Sequence, residues 1–297
     1  MIEIFHTRVF GTSRHGGNSC PVVVDADRLT DVEMHALARK FGLDTAFILH
    51  PLAKGADFRI RYFVPDHEMG VSGHATIAAV TVARLGKIVE ADRIQVETIS
   101  GIFSVEAILH DGGLQVTLEQ NPPIFGSTVA PDRVSNALNI PASEIAASTP
   151  IQAVSVSRAK LLVPLKESRV LNRLSPNLKA LWELCDELQV TGLYPFARPT
   201  EKDFDAEARQ FPLRAGFPED AATGVAAAAL GAYLVRYDRA SQDGHYEFRI
   251  AQGYAMGSPS LIEAIADCAG GRIVRTAIRG SALIVRHEQV KRTPRAR

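Results

Sequence analysis

Two stretches of this chain read as helices that are apolar on nearly every side. Ser72 to Leu85, closed by Gly86, is rich in Ala, Val and Ile all round, and Gly224 to Val235 is rich in Ala. A helix without a polar face must be enclosed by other elements. The second stretch is shorter than the ~20 residues that span a bilayer, so it is expected to be packed inside protein. With 46% hydrophobic residues in 297, the chain has material for a shell around each helix, in two domains or one large one.

Most of the remainder reads as strands. Phe58, Ile60 and Tyr62 alternate with Arg59 and Arg61. Ile94, Val96 and Thr98 alternate with charged or amide residues, Gly101 interrupts the run, and Phe103, Val105 and Ala107 resume it. Asp111-Gly112-Gly113 is a turn into Leu114, Val116 and Leu118. Leu161 to Val163 and Asp205 to Phe211 read as strands, and Asp243-Gly244 turns into Tyr246, Phe248 and Ile250. Two amphipathic helices stand out. Thr30 to Phe41 carries a Thr30/Glu33 capping box and a Gly42 stop. The second, with its stripe at Leu178, Leu181, Cys185 and Leu188, begins near Ser175-Pro176. Pro122-Pro123 is the best candidate for a boundary between domains.

The two halves repeat one plan. Asp57 to Arg61 matches Asp205 to Arg209 in its ends, and a Phe follows each Arg by two residues, at Phe63 and Phe211. Glu68 precedes Gly73 by five residues and Glu219 precedes Gly224 by five. Four features in one order point to a duplication. The simplest architecture hiding both apolar helices is an α+β fold with strands wrapped around one helix per half.

Each apolar helix opens on a hydroxyl and a glycine: Ser72-Gly73-His74 in one half, Thr223-Gly224-Val225 in the other. A helix start carries free N–H groups and a positive dipole end, and glycine lets a ligand approach them. Two such starts could hold a carboxylate and stabilise an enolate-like oxyanion. The plain alternative is that Ser72 and Thr223 are ordinary caps. Acid–base candidates lie close by. His74, beside a positive helix end, is expected to be neutral and able to accept a proton. Asp220 lies three residues before Thr223, and Asp44 follows the Gly42 stop. Read plainly, these three are a histidine bonded to a carbonyl, an acid favourably placed at a helix start, and a loop aspartate.

Other chemistries find no motif. Gly11 to Asn18 is glycine-rich without the Lys of a phosphate loop, no HExxH, GxGxxG or GxSxG occurs, and histidines and acids do not fall at metal-ligand spacing. The default is a reaction with no cofactor and no metal. Lys+Arg and Asp+Glu are 33 each, which gives no reason to expect nucleic acid or a membrane surface as partner. The only basic concentration is the tail, 291–297, with Lys291, Arg292, Arg295 and Arg297. Cys20, Cys185 and Cys268 form no CxxC pair, and no signal peptide is evident at Met1 to His6. A reduced, cytoplasmic setting is expected.

At this level the chain resembles the phenazine-biosynthesis PhzF-like proteins of the diaminopimelate-epimerase fold, from about Phe5 to Val285. The marks are Gly17-Asn18, Asp44-Thr45-Ala46-Phe47, Arg61 to Pro65, Glu68 through Thr76, Glu97 to Gly101, Glu219 to Gly224, Gln252-Gly253 and Met256 to Ser260. The resemblance implies two pseudo-symmetric domains, each a β-barrel-like roll around a central helix, with the active site in the cleft between them. It also implies that the last strand returns to the first domain. The expected division is residues 1–122 with 281–290, residues 123–280, and the tail. A homodimer is implied as well.

The resemblance further implies a cofactor-independent isomerase that moves a proton on a small carboxylated metabolite, as in isomerisation of trans-2,3-dihydro-3-hydroxyanthranilate. The family's acid–base glutamate falls on Asp44, one methylene shorter. His74 and Asp220 match its other polar catalytic residues. Asn18, Ser72, Gly73, Thr223, Gly224 and Val225 are the expected substrate contacts, with Val225 where a serine is frequent. Epimerase relatives carry a cysteine before each helix glycine. Ser72 and Thr223 stand there instead, so two-thiol racemisation is not expected. The alternatives are a dehydratase on the same fold, with a hydroxyproline-like substrate, and a non-catalytic binding protein.

Overall fold

The computed structural model describes residues 1–110, 113–199 and 203–290. The chain begins with β1 (Ile2–Val9), β2 (Asn18–Val24), α1 (Asp31–Phe41), β3 (Thr45–Leu49), β4 (Phe58–Phe63) and β5 (Glu68–Met69). Then come α2 (Gly73–Leu85), β6 (Arg93–Thr98), β7 (Gly101–His110), β8 (Gly113–Gln120), β9 (Ile124–Val129) and α3 (Pro131–Leu138). β10 (Ile151–Ser155), β11 (Lys160–Pro164), α4 (Ser168–Asn172), α5 (Leu178–Leu188), β12 (Gly192–Ala197), β13 (Ala206–Ala208) and β14 (Phe211–Pro212) follow. The chain continues through α6 (Gly224–Asp238), β15 (Gly244–Gln252), β16 (Ser260–Ala269), β17 (Arg272–Gly280) and β18 (Ala282–Val290). Two compact units form. The first holds Met1–Arg14, Asn18–Leu118 and the chain from Gly280; the second holds His15–Gly17 and Glu119–Arg279.

The units share one strand pattern. In the first, the order is β18, β1, β2, β3, β4, β6, β7, β8, and only the β2/β3 and β4/β6 pairs are parallel. In the second, it is β9, β10, β11, β12, β13, β15, β16, β17, and only the β11/β12 and β13/β15 pairs are parallel. Among the described residues the last strand, β18, pairs with the first, β1, Ile2 opposite Val290.

Each sheet rolls around its apolar helix. α2 packs on β1, β2, β3, β4, β7 and β18, so strands from opposite ends of the sheet meet one helix. Ala75 to Ala83 are buried without a break. In the second unit α6 packs on β10, β11, β15 and β16 and is buried from Ala226 to Val235. Small side chains allow the close approach: a Cβ on Gly231 would stand 2.9 Å from the Cβ of Ala264 on β16. Among the described residues no helix is long and apolar enough to cross a membrane.

Local chemistry explains most boundaries. Thr30 and Glu33 form the reciprocal capping box, and Gly42 ends α1 at φ 65°. Met34 and Ala38 on this helix pack with Ile4, Val23, Phe47 and Phe63. α5 starts at Leu178, because the Asn177 side chain accepts the Ala180 N–H, and it buries Leu181, Leu184 and Cys185.

Several expectations change. The strand expected over 205–211 is split into β13 and β14. Pro195 lies between the two stretches of β12 that pair with them and has no N–H to give, so the ladder breaks beside Arg209, whose N–H still reaches the Pro195 carbonyl. The break expected at Gly101 is a hairpin: β6 ends at Thr98, and Gly101, at φ 122°, opens β7 after a tight turn. α6 runs on to Asp238. The tail 291–297 and the Asp111-Gly112 part of the expected turn lie outside the described residues, although His110 and Gly113 pair on either side.

Candidate active site

Neither helix start is capped by its hydroxyl. Ser72 stands at the N-cap of α2 in extended conformation, yet its side chain accepts no helix N–H. Its Oγ donates toward Asp44 Oδ2 at 3.4 Å and lies 3.4 Å from His74 Nδ1. His74 Nε2 lies 3.6 Å from Asp44 Oδ2. The three side chains close a loose triangle, with His74 11% and Asp44 16% exposed. His74 Nε2 itself is buried and within hydrogen-bond distance of no protein group.

The folding of the first unit brings these groups together. Asp44 precedes β3, which α2 packs against, and His74 lies in the first turn of α2. The Thr76 hydroxyl fixes the cap by donating to the Ser72 carbonyl at 2.7 Å, and the Tyr62 hydroxyl lies 2.7 Å from Thr76 Oγ1. Burial pushes the Tyr62 phenol well up, and burial followed by the Asp44 charge does the same to the Cys20 thiol. Both stay neutral around pH 7.

The second unit builds the same motif from other residues. Thr223 does not cap α6; its Oγ1 donates to Asp220 Oδ2 at 2.5 Å. Gln252, fully buried at the end of β15, clamps the turn. Its Oε1 accepts from the Thr223 N–H at 3.1 Å and the Tyr194 hydroxyl at 3.0 Å. Its Nε2 donates to the Asp220 carbonyl at 2.7 Å and to Thr223 Oγ1 at 3.2 Å. Burial, then the Asp220 charge, pushes the Tyr194 phenol well up.

The duplication is visible in the framework as well. Arg61 makes a two-point hydrogen bond to Glu68 at 2.7 and 2.6 Å, and Arg209 does the same to Glu219 at 2.8 and 2.6 Å. Each guanidinium also lies over the phenylalanine two residues on, 5.0 Å from Phe63 and 4.9 Å from Phe211. Asp57 and Asp205 each clip the neighbouring parallel strand, accepting the Gln95 and Arg249 N–H groups at 2.7 Å. The repeated Arg and Glu thus tie the loop before each apolar helix to the sheet, and the repeated Asp joins two parallel strands.

The residues expected at the site fall into two groups. In the first unit Asp44, Ser72, Gly73 and His74 come together, and Asn18 opens β2 opposite Val9. In the second, Asp220, Thr223, Gly224 and Val225 come together at the start of α6. An open surface depression of about 410 Å³ lined by Asp132, Ser135, Asn136, Asn139, Ile140 and Pro141 contains none of them. Sequence reasoning did not assign Gln252 to the site, although an amide directly before Gly253 at a strand end was a usable signal.

Two matching rolls, each enclosing a helix whose uncapped start faces a carboxylate, define a protein of the diaminopimelate-epimerase-like fold. A phenazine biosynthesis-like (PhzC-PhzF) family profile matches residues 7–288. The chain is 32% identical to the uncharacterized isomerase YddE of Escherichia coli K12, covering 97% of each. It is 30% identical to the trans-2,3-dihydro-3-hydroxyanthranilate isomerase of Pseudomonas aeruginosa, covering 89% of this chain and 90% of that one. The crystal structure of a PhzF-family phenazine biosynthesis protein from Bacillus anthracis superposes with a TM-score of 0.90 at 26% identity, covering 98% and 99%. The chain belongs to the PhzC-PhzF family of phenazine biosynthesis-like proteins. It is an isomerase of that type.

Proposed function

We propose that the protein moves a proton along a small, carboxylated, cyclic or unsaturated metabolite, of the kind that trans-2,3-dihydro-3-hydroxyanthranilate represents, with no cofactor. The observation that carries this reading is that Ser72 and Thr223 each turn away from the helix they precede and toward a carboxylate. The N–H groups at Gly73, His74, Gly224 and Val225 are left without a cap, and they are suited to a substrate carboxylate or to the oxyanion that forms when a neighbouring C–H bond breaks.

In this reading Asp44 takes the proton from carbon and the electron pair of the C–H bond moves into the conjugated system. A different carbon is then protonated, with His74 and Asp220 passing or holding the proton and orienting the hydroxyl and carboxylate. The loose Asp44–Ser72–His74 contacts suit a base that must move between two carbons. Asn18 and Val225 complete the substrate contacts. The protein acts in the cytoplasm as a homodimer, a state that sedimentation velocity would detect.

The test is proton NMR in D₂O with trans-2,3-dihydro-3-hydroxyanthranilate, a hydroxyproline and diaminopimelate in separate tubes, using the wild type and Asp44→Asn. Deuterium uptake into the anthranilate compound, lost in the variant, supports the reading. Full turnover by Asp44→Asn removes Asp44 as the base, and water loss from the hydroxyproline moves the protein to the dehydratase class.

A further inference from the structure

The turn before α6 has its hydrogen-bond directions set by its neighbours. The Thr223 N–H can only donate, so the end of the Gln252 amide that meets it at 3.1 Å is the oxygen. The Asp220 carbonyl can only accept, so the end that meets it at 2.7 Å is the nitrogen. The Tyr194 hydroxyl donates to Gln252 Oε1 at 3.0 Å, and the second proton on Nε2 goes to Thr223 Oγ1 at 3.2 Å. Both donors and both acceptor sites of the amide are then in use. Thr223 Oγ1 already receives a hydrogen bond, so its own proton is given to Asp220 Oδ2, 2.5 Å away. Gln252 and Tyr194 are wholly buried, so water does not compete for these bonds.

The first unit orders its hydroxyl differently. Ala206 faces Ile250 as Phe58 faces Val96, so two residues further along the partner strand Gln252 falls where the first unit has Thr98. Thr98 bonds within its own hairpin: it donates to the Gly101 carbonyl at 3.0 Å and accepts the Ser100 N–H at 3.1 Å. Leu193 faces Phe211 as Thr45 faces Phe63, so Tyr194 falls where the first unit has Ala46, which has no hydroxyl. Ser72 Oγ stands 3.4 Å from both Asp44 Oδ2 and His74 Nδ1, with two partners competing for it. The duplication thus kept the hydroxyl before each helix glycine and changed what directs it.

We infer that Gln252 is a positioning residue of the second half-site: by donating to Thr223 Oγ1 it turns the Thr223 proton onto Asp220 Oδ2 and keeps that oxygen a hydrogen-bond acceptor. Of the tasks that the proposed function leaves to Asp220, this order selects holding and orienting the substrate over passing a proton through Oδ2. The proton that moves is left to the first half-site, whose hydroxyl is not locked. The inference rests on the proposed function in taking Asp44 and Asp220 as site residues, and its first test needs no substrate.

The first experiment is neutron diffraction from crystals of the full-length protein exchanged into D₂O near neutral pH. It is expected to show one deuterium on Thr223 Oγ1 along the line to Asp220 Oδ2, and one on Gln252 Nε2 directed at Thr223 Oγ1. A deuterium carried by Asp220 Oδ2, or a Thr223 hydroxyl aimed elsewhere, overturns the inference. The second experiment is a double-mutant cycle read by deuterium uptake into trans-2,3-dihydro-3-hydroxyanthranilate. Gln252→Met and Thr223→Val should each slow uptake about tenfold, the worth of one buried hydrogen bond. If Gln252 acts through the Thr223 hydroxyl, the double variant is no slower than the worse single one. Losses that multiply to about a hundredfold mean that Gln252 only supports the fold, and they overturn the inference. A wild type that exchanges no deuterium defeats the proposed function and leaves the neutron map to decide this inference. The map also decides it if Gln252→Met does not fold.

Discussion

Glu219 holds Arg209 by two hydrogen bonds, at 2.8 and 2.6 Å, with both side chains about nine-tenths buried. Arg209 also donates to the carbonyls of Leu171 and Leu174, so one guanidinium joins the loop before α6 to the region between α4 and α5. Its counterpart pair, Arg61 and Glu68, is more open, at 14% and 22% exposed.

Glu219→Gln keeps the shape and removes the charge, leaving a buried cation with a weaker partner. Breaking such a pair costs about 3–5 kcal/mol. Urea unfolding should show a loss in this range for Glu219→Gln and a clearly smaller one for Glu68→Gln. Equal losses would mean that the burial difference carries no weight.

Ser72→Ala separates two roles. An ordinary capping serine contributes about 1 kcal/mol to its helix. Because Ser72 makes no cap bond, Ser72→Ala should unfold within a few tenths of a kcal/mol of the wild type while its D₂O exchange activity falls. A loss near the full capping value would restore the plain reading of Ser72.

Lys160 makes stability depend on pH with a definite sign. Burial first, and Arg158 second, lower its folded pKa to about 8, below the unfolded 10.5, so the unfolded chain binds more protons between these values. Stability contributed by this group therefore rises as pH goes from about 8 to 10.5, by about 3 kcal/mol if no other group opposes it. Chemical unfolding at pH 7.5 and 10 should show a rise that Lys160→Met lacks.

Gly253 follows the Gln252 clamp at φ 79°. A Cβ there would stand 2.3 Å from the Ser258 carbonyl oxygen and 2.7 Å from that of Ala221, both backbone. Gly253→Ala should destabilise by at least ~2 kcal/mol and displace the Asp220–Thr223 turn. Thermal unfolding checks the first effect and exchange activity the second. A variant with wild-type values for both would show that the turn tolerates the clash.

The two enclosed helices and the duplication were legible because they rest on local patterns: an all-apolar stretch, a hydroxyl-glycine start, and matched Asp, Arg, Phe and Glu residues. The α1 capping box was legible for the same reason, since Thr30 and Glu33 lie within one turn. The break at Arg209 was hidden because its cause, Pro195, is distant in sequence and acts across a ladder. Gln252 and Lys160 escaped for a related reason. Their contacts with Thr223, Tyr194 and Thr191 depend on strand register, which one sequence does not spell out.

β18 fills the place beside β1 that closes the first roll. On the ribosome β1 emerges well before β18, so the first unit waits through the synthesis of the second with an open strand edge beside β1. At ordinary elongation rates this lasts tens of seconds. The second roll needs nothing from β18 and can finish first. Maturation then runs against the direction of translation, and a chain that stalls short of Ala282 leaves β1 exposed to whatever else is unfolded nearby.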